Sequence, residues 1–474
     1  MIKRTGSRTH TRIAVCGLAA LLSLPARVPA QTRASAEDRA LARELLRELI
    51  EIDTSAPDGH PRAASEAMAA RLRAAGFAEE DVQVIGPEPR LGNLVARFRG
   101  TSPDLPPILL MAHIDVVPAH RDDWSVDPFK LTEQDGYFYG RGTDDNKAGA
   151  AILVANFIRG RREGFRPDRD LILVLTADEE TTAASIRWLV QTHPRVKSAA
   201  FALNTDAGGG ELWDGRYVVM GVQAAEKVYL SYELLVRNPG GHSSRPRPDN
   251  AIYRLAGALA RLERHAFPVR LNEVTRNYFR RTAELGGPDS DDLRRVAGPA
   301  PDPAAAERLS RDAAYNAMLR TTCVATMLEA GHAENALPQT ARAVVNCRIL
   351  PGEDPSDVDR TLRRVVADTA VAIRRIGEPT ASPPSPLTAE VIGVIERLTQ
   401  RHFPGAVVVP EMSTGATDGL YVRNADIPVY GASALFGDPG DVRAHGRDER
   451  ILVRSFHEAL DFWYDMVRAF AQGR

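Results

Sequence analysis

Cysteine is scarce in this chain. There are three in 474 residues, Cys16, Cys323 and Cys347, and no CxxC pair occurs. That excludes a zinc site built from thiolates. Excess charge of either sign is also missing, because 60 basic side chains face 62 acidic ones and the formal net charge is -2. Nothing in that balance points to nucleic acid or an anionic membrane surface as a partner. Beyond the first residues no apolar run reaches the length of a membrane span. No internal repeat is evident, and the phosphate-loop pattern GxxxxGK[ST] is absent. What remains is an ordinary globular composition, 44% apolar and 26% charged, with length enough for two or three domains.

The N-terminus has a character of its own. Lys3, Arg4, Arg8 and Arg12 precede an apolar run from Ile13 to Leu24, and the small residue Ala30 follows in Ala-Arg-Val-Pro-Ala. A basic head, an apolar stretch of about 12 residues and a small-residue cut site predict a secretory signal over residues 1–30, too short to span a bilayer. A secreted or periplasmic location follows. Cys323 and Cys347 then remain, either as one disulfide in an oxidising compartment or as two buried thiols.

Along the chain, Ser35-Ala-Glu-Asp38 reads as a capping box, with Leu41, Leu45, Leu46, Leu49 and Ile52 following at helical spacing. A second helix is expected from Ala63 to Ala75. Short apolar runs at 93–98, 108–112, 171–175 and 201–203 alternate with helical stretches at 148–160 and 184–191. This alternation predicts an α/β architecture with a mostly parallel, buried sheet, whose ligand site lies past the carboxyl ends of the strands. From about residue 223 the order changes to strand, helix, strand, strand, helix, strand, at 228–236, 249–264, 323–328, 341–349, 354–368 and 370–376. That is a ferredoxin-like α+β order, interrupted by a polar, partly helical insertion at about 268–320. A Pro-rich connector, Gly377 to Pro386, leads back to helix and strand signals and a final amphipathic helix, Ile451 to Ala471. The expected organisation is a first domain over 31–222, an inserted lid over 223–380, and completion of the first domain over 381–474.

Polar clusters follow the strand-like runs. They are His113-Ile-Asp115, Gly140-Arg-Gly-Thr-Asp-Asp145-Asn-Lys, Glu179-Glu180 and Asp206-Ala-Gly-Gly-Gly; a late loop holds His445. Taken singly, each has a plain structural explanation: a core histidine, a capping turn, an acidic surface loop, a glycine turn, a loop histidine. Together they supply imidazole and carboxylate donors without thiolate, a set that suits zinc and also cobalt or manganese.

With these motifs in this order the chain resembles the di-zinc exopeptidases and deacylases, the family of glutamate carboxypeptidase, acetylornithine deacetylase, succinyl-diaminopimelate desuccinylase, aminoacylase and carnosinase-type dipeptidases. The resemblance covers nearly all of the chain after the leader. It implies two zinc ions held by His113, Asp145, Glu180, Asp206 and His445, with Asp145 as the bridge and Glu211 as a fallback for Asp206. It implies that Asp115 orients His113 and that Glu179 is the proton-transferring base. In the lid, His242 of Asn238-Pro-Gly-Gly-His242 would stabilise the oxyanion, Asn335 would contact substrate, and Arg348 would grip a substrate carboxylate. Gly415 and Thr417 would belong to the substrate-pocket loop. The implied substrates are short peptides or N-acyl amino acids, and the resemblance allows a homodimer through the lid. The chain departs from the family pattern at Lys147-Ala148-Gly149, where many relatives have Gly directly after Lys. Two rival classes are a catalytically silent metal-dependent binding protein, against which Glu179 argues, and a di-metal phosphoesterase, which the Arg348 clamp disfavours.

Overall fold

The strand Ile108–His113 shows why the larger layer forms. All six of its residues are buried. Ile108, Leu110 and Ala112 enter one apolar cluster while Leu109 and Met111 enter another. Successive side chains of a strand point to opposite faces, so a continuous apolar run means that helices cover both faces. The computed structural model describes residues 33–472, and the expected leader lies outside them. Among the described residues no helix is long and apolar enough to cross a membrane.

The large sheet has ten strands. Its spatial order is Val82–Ile85, Asn93–Phe98, Leu171–Thr176, Ile108–His113, Phe201–Asn204, Val429–Gly431, Arg216–Glu226, Gly210–Trp213 and Phe436–Gly437, and Val407–Ser413 also pairs with Arg216–Glu226. The four central strands, from 171–176 to 429–431, run parallel, and antiparallel strands flank them. The capping box at Ser35 and Asp38 is present, opening the helix Ala36–Glu51. This helix packs with Lys147–Arg162 and the final helix Val453–Ala471 on one face.

The second sheet has four antiparallel strands in the order Thr322–Ala330, Thr340–Ile349, Val228–Arg237, Val371–Ile376. The helices Ala251–Glu263 and Pro355–Val366 bury Leu255, Ala258, Val358 and Leu362 in its core. Asn250 and Asp354 cap those helices through their side chains. This is the ferredoxin-like arrangement read from the sequence. Cys323 and Cys347 stand directly opposite on adjacent strands and form a disulfide, which resolves the choice between bridge and thiols.

Two details differ from the sequence reading. The strand Arg216–Glu226 stays in the large sheet, so the chain crosses between sheets at the buried Lys227, whose Nζ donates to Arg320 O at 2.8 Å. The insertion carries four helices, Glu273–Glu284, Ser290–Val296, Pro303–Leu309 and Ala313–Leu319. Their Val274, Phe279, Leu293 and Leu309 pack into the core of the large sheet and not into that of the small one. The reason is the amphipathic pattern of Glu273–Glu284, whose apolar stripe meets the strand Val407–Ser413.

Candidate functional site

Three parallel strands end side by side, and each carries a polar residue at or just past its end. His113 is the last residue of its strand, while Glu179 and Glu180 follow Thr176 and Asp206 follows Asn204. Asp145 comes from the turn that opens the helix Lys147–Arg162. Gly149 lets that helix approach: a Cβ there would lie 2.1 Å from Thr205 Oγ1. Asn146 Oδ1 also accepts from that hydroxyl at 2.7 Å. The glycine displaced from its usual family position therefore has a packing role of its own, bringing the Asp145 turn against the Asp206 loop.

The donors converge. His113 Nε2 lies 2.8 Å from Asp145 Oδ1 and 3.5 Å from Asp206 Oδ1. His445 Nε2 lies 3.1 Å from Asp145 Oδ2 and 3.1 Å from Glu180 Oε1. Asp145 thus turns one oxygen to each histidine. Donor atoms of His113, Asp145 and Glu180 lie within 4.8 Å of one another, as do those of His113, Glu179 and Asp206. Glu211, the fallback, instead accepts from the Trp213 indole at 2.9 Å.

The electrostatics show what this cluster wants. Burial pushes Glu180 up to about 7 and Asp206 up to about 6. Burial, then the Asp206 charge, raises Glu179. Hydrogen bonding to Asp145 and the charge of Glu180 bring His445 to about 9 despite desolvation. His113 is raised too: burial opposes its charge, but Asp206 and Asp145 overcome that. Asp145 is held low: burial would raise it, and its bonds to both histidines prevail. Four carboxylates around two imidazoles hold more negative charge than the histidines can neutralise, and a buried excess of this kind calls for cations. Nitrogen and oxygen donors without sulfur fit zinc, cobalt or manganese.

Residues 109–469 match the model of peptidase family M20/M25/M40. The chain belongs to that family. It is 30% identical over 383 residues to human N-fatty-acyl-amino acid synthase/hydrolase PM20D1, covering 78% of this chain and 75% of that one. It is 29% identical over 392 residues to the probable carboxypeptidase S-like 2 of Dictyostelium discoideum, covering 79% and 74%. The M20 family metallo-carboxypeptidase Sso-CP2 of Sulfolobus solfataricus shares the fold, with a TM-score of 0.69 and 17% identity over 91% of this chain and 99% of that one. This M20 chain is an amide-bond hydrolase of the peptidase and acylase type.

Asp115 meets His113 through two groups. Its carboxylate lies beside the ring, with Oδ1 3.7 Å from Nδ1. The Asp115 carbonyl takes the bond from His113 Nδ1 at 3.0 Å, which leaves Nε2 facing the carboxylates. The Asp115 carboxylate also accepts from the backbone N–H groups of Glu179 and Glu180, each at 3.0 Å. It positions the acidic pair.

Thr417 has a partner within the protein. It is buried, and its hydroxyl donates to Glu226 Oε1 at 2.5 Å. Gln223 and Arg423 hold the same oxygen, each at 2.7 Å. In this arrangement the hydroxyl is engaged by Glu226. Gly415 sits on the exposed part of that loop. Arg348 reaches the loop from the small sheet, donating to Thr414 O at 3.2 Å with its guanidinium over the Tyr229 ring. His242 and Asn335 lie together, because the two-residue strand Gly241–His242 pairs with Ala336–Leu337 and Ser243 N donates to Asn335 O. His242 is exposed, and among the described residues no hydrogen bond or ion pair joins it to the carboxylate cluster.

Sequence reasoning assigned no role to Asp418, Glu449 or Arg141. Asp418 is buried and pushed up to about 8 by burial, and accepts from Thr176 Oγ1 at 2.5 Å. Its other oxygen has no partner. Arg141 and Glu449 form a buried ion pair at 2.6 Å. The signals were there, four residues after His445 and four before Asp145, but a lone charge in a loop carries no mark of burial.

Proposed function

We propose that this chain is a secreted di-zinc hydrolase that cleaves the amide bond of short peptides or N-acyl amino acids carrying a free carboxylate. The observation that carries the reading is Asp145, which presents one oxygen to the His113 side and one to the His445 side. His113 and Asp206 would hold one cation, Glu180 and His445 the other, with Asp145 between them. When bound, such cations polarise the substrate carbonyl and lower the pKa of a bound water. The protein's own part is proton handling: Glu179 takes the water proton and delivers it to the leaving amine. Arg348, beside the Ser413–Thr417 loop, would clamp the carboxylate, a task suited to a planar fork of donors. His242 on its exposed ribbon would supply the oxyanion donor when the lid approaches its own cluster or that of a second copy. The relatives named for carboxypeptidase and N-fatty-acyl-amino acid chemistry support this substrate class.

The organisation proposed is a leader over 1–30, catalytic segments at 31–222 and 381–474, and a lid at 223–380. Hydrolysis of a panel of dipeptides and N-acyl amino acids by the metal-stripped protein, with zinc, cobalt or manganese added back, tests the reading. Turnover should require added metal and a free substrate carboxylate. Metal-independent turnover, or equal cleavage of carboxylate esters, would overturn it.

A further inference from the structure

The turn carrying Asp145 and the loop carrying His445 lie about 300 residues apart in sequence, and one buried ion pair stitches them together. The Glu449 carboxylate accepts from the backbone N–H of Asp144 at 2.7 Å, of Asp145 at 3.1 Å and of Gly142 at 3.1 Å. Its other oxygen receives Arg141 Nη1 at 2.6 Å. The same guanidinium reaches back across the gap, donating from Nη2 to Gly446 O at 3.0 Å and to His445 O at 3.4 Å. Trp124 covers it, with the guanidinium carbon 5.1 Å from the ring centroid. The Glu449 side chain is fully buried and that of Arg141 is 3% exposed. The loop needs such a hold: His445 and Asp448 adopt left-handed backbone at φ 62° and 53°, a conformation that persists in non-glycine residues only when the surroundings impose it.

We propose that the Arg141–Glu449 pair is a positioning unit that sets the spacing between Asp145 and His445, and with it the affinity of the cation position shared by Asp145, Glu180 and His445. The position at His113 and Asp206 depends on it less: it shares Asp145, but His113 ends a strand that the sheet ladder fixes and Asp206 follows another, whereas the second position takes both Asp145 and His445 from the stitched segments. The proposal rests on the di-metal reading above. A broken buried pair leaves an uncompensated charge, so the turn and the loop would drift apart at the point where two ligands must meet.

The test is zinc binding by the full chain, followed by competition with a chromophoric chelator and by metal content after dialysis. Glu449→Gln keeps the size and part of the acceptor capacity but loses the charge. It should weaken one of two zinc ions by roughly 10- to 100-fold, the usual effect of losing a group that orients a ligand, and weaken the other, which shares only Asp145 with the stitched segments, by clearly less. His445→Ala serves as reference and should remove the same ion. Adding Glu449→Gln to His445→Ala should then change zinc binding little further. Should Glu449→Gln fail to fold, Arg141→Lys decides the matter, since it keeps the charge but cannot span Glu449 and both carbonyls. Two zinc ions held at their original affinity in the folded variants would overturn the proposal, as would equal weakening of both. If the unaltered chain itself binds fewer than two ions, the di-metal reading fails instead.

Discussion

Replacing Glu179 by Gln asks whether this residue handles the proton or merely holds metal. The segment should keep its shape, because its backbone N–H groups are held by Asp115 at 3.0 Å and the amide has nearly the volume of the carboxylate. What is lost is a base. A positioned general base contributes about 10²–10⁴-fold, or about 2.7–5.4 kcal/mol at 1.36 kcal/mol per tenfold. Steady-state hydrolysis of an N-acyl amino acid should show kcat falling by that factor, with two metal ions per chain still found by elemental analysis. The pH profile adds a second reading. Burial and then the Asp206 charge raise the Glu179 carboxyl above its ordinary 4.5. The active form is ionised, so turnover is lost as pH falls through that raised value, and the variant should lack this acid limb. Turnover within tenfold of the unaltered enzyme would refute the base assignment. So would loss of a metal ion, because Glu179 donor atoms also lie within 4.8 Å of those of His113 and Asp206, and the residue would then be a ligand.

Three further outcomes follow from the same geometry. Arg348→Ala should lower kcat/KM by about 10- to 150-fold for substrates with a free carboxylate, the worth of a hydrogen bond to a charged group, and by less than about threefold for their amides; equal losses would remove the clamp. Thr417→Val should cost about 1–3 kcal/mol in urea unfolding, because Glu226 loses a buried donor, with KM unchanged; a raised KM at full stability would restore Thr417 to the substrate pocket. Replacing both Cys323 and Cys347 by Ser opens a loop with a sequence separation of 24, for which chain entropy predicts about 3.5 kcal/mol; a thermal midpoint unmoved by the double substitution or by reductant would show that the bridge contributes nothing.

The order of the elements, the helix starts and the positions of the polar clusters could be read in the sequence because they rest on local rules. A buried parallel strand needs a continuous apolar run, as at 108–112. A helix start needs a cap, as at Ser35, Asn250 and Asp354. Such a sheet places its polar residues where the strands stop. The single-residue register that favours Asp145 over Asp144 came from likeness to a family motif, and in the fold Asp145 is the one that meets both histidines.

What the sequence left open shares a cause as well. Asp115 was expected to orient His113; in the fold its carbonyl makes the bond to the ring while its carboxylate, 3.7 Å from Nδ1, also holds the Glu179–Glu180 backbone, a division of labour that no local pattern carries. Thr417 was placed by motif, but its hydroxyl is taken by Glu226, whose burial depends on a strand almost 200 residues earlier. The insertion was counted with the lid because it interrupts the lid's sequence, yet its apolar faces join the other core. Arg141 and Glu449 carry no local signal at all, since a charge reveals its purpose only through what surrounds it. Sequence alone determined which donor types are available and the layers that present them, because period and composition are local properties. Tertiary structure decided which polar group turns towards which, because hydrogen bonds between distant segments depend on where the chain bends and what it buries.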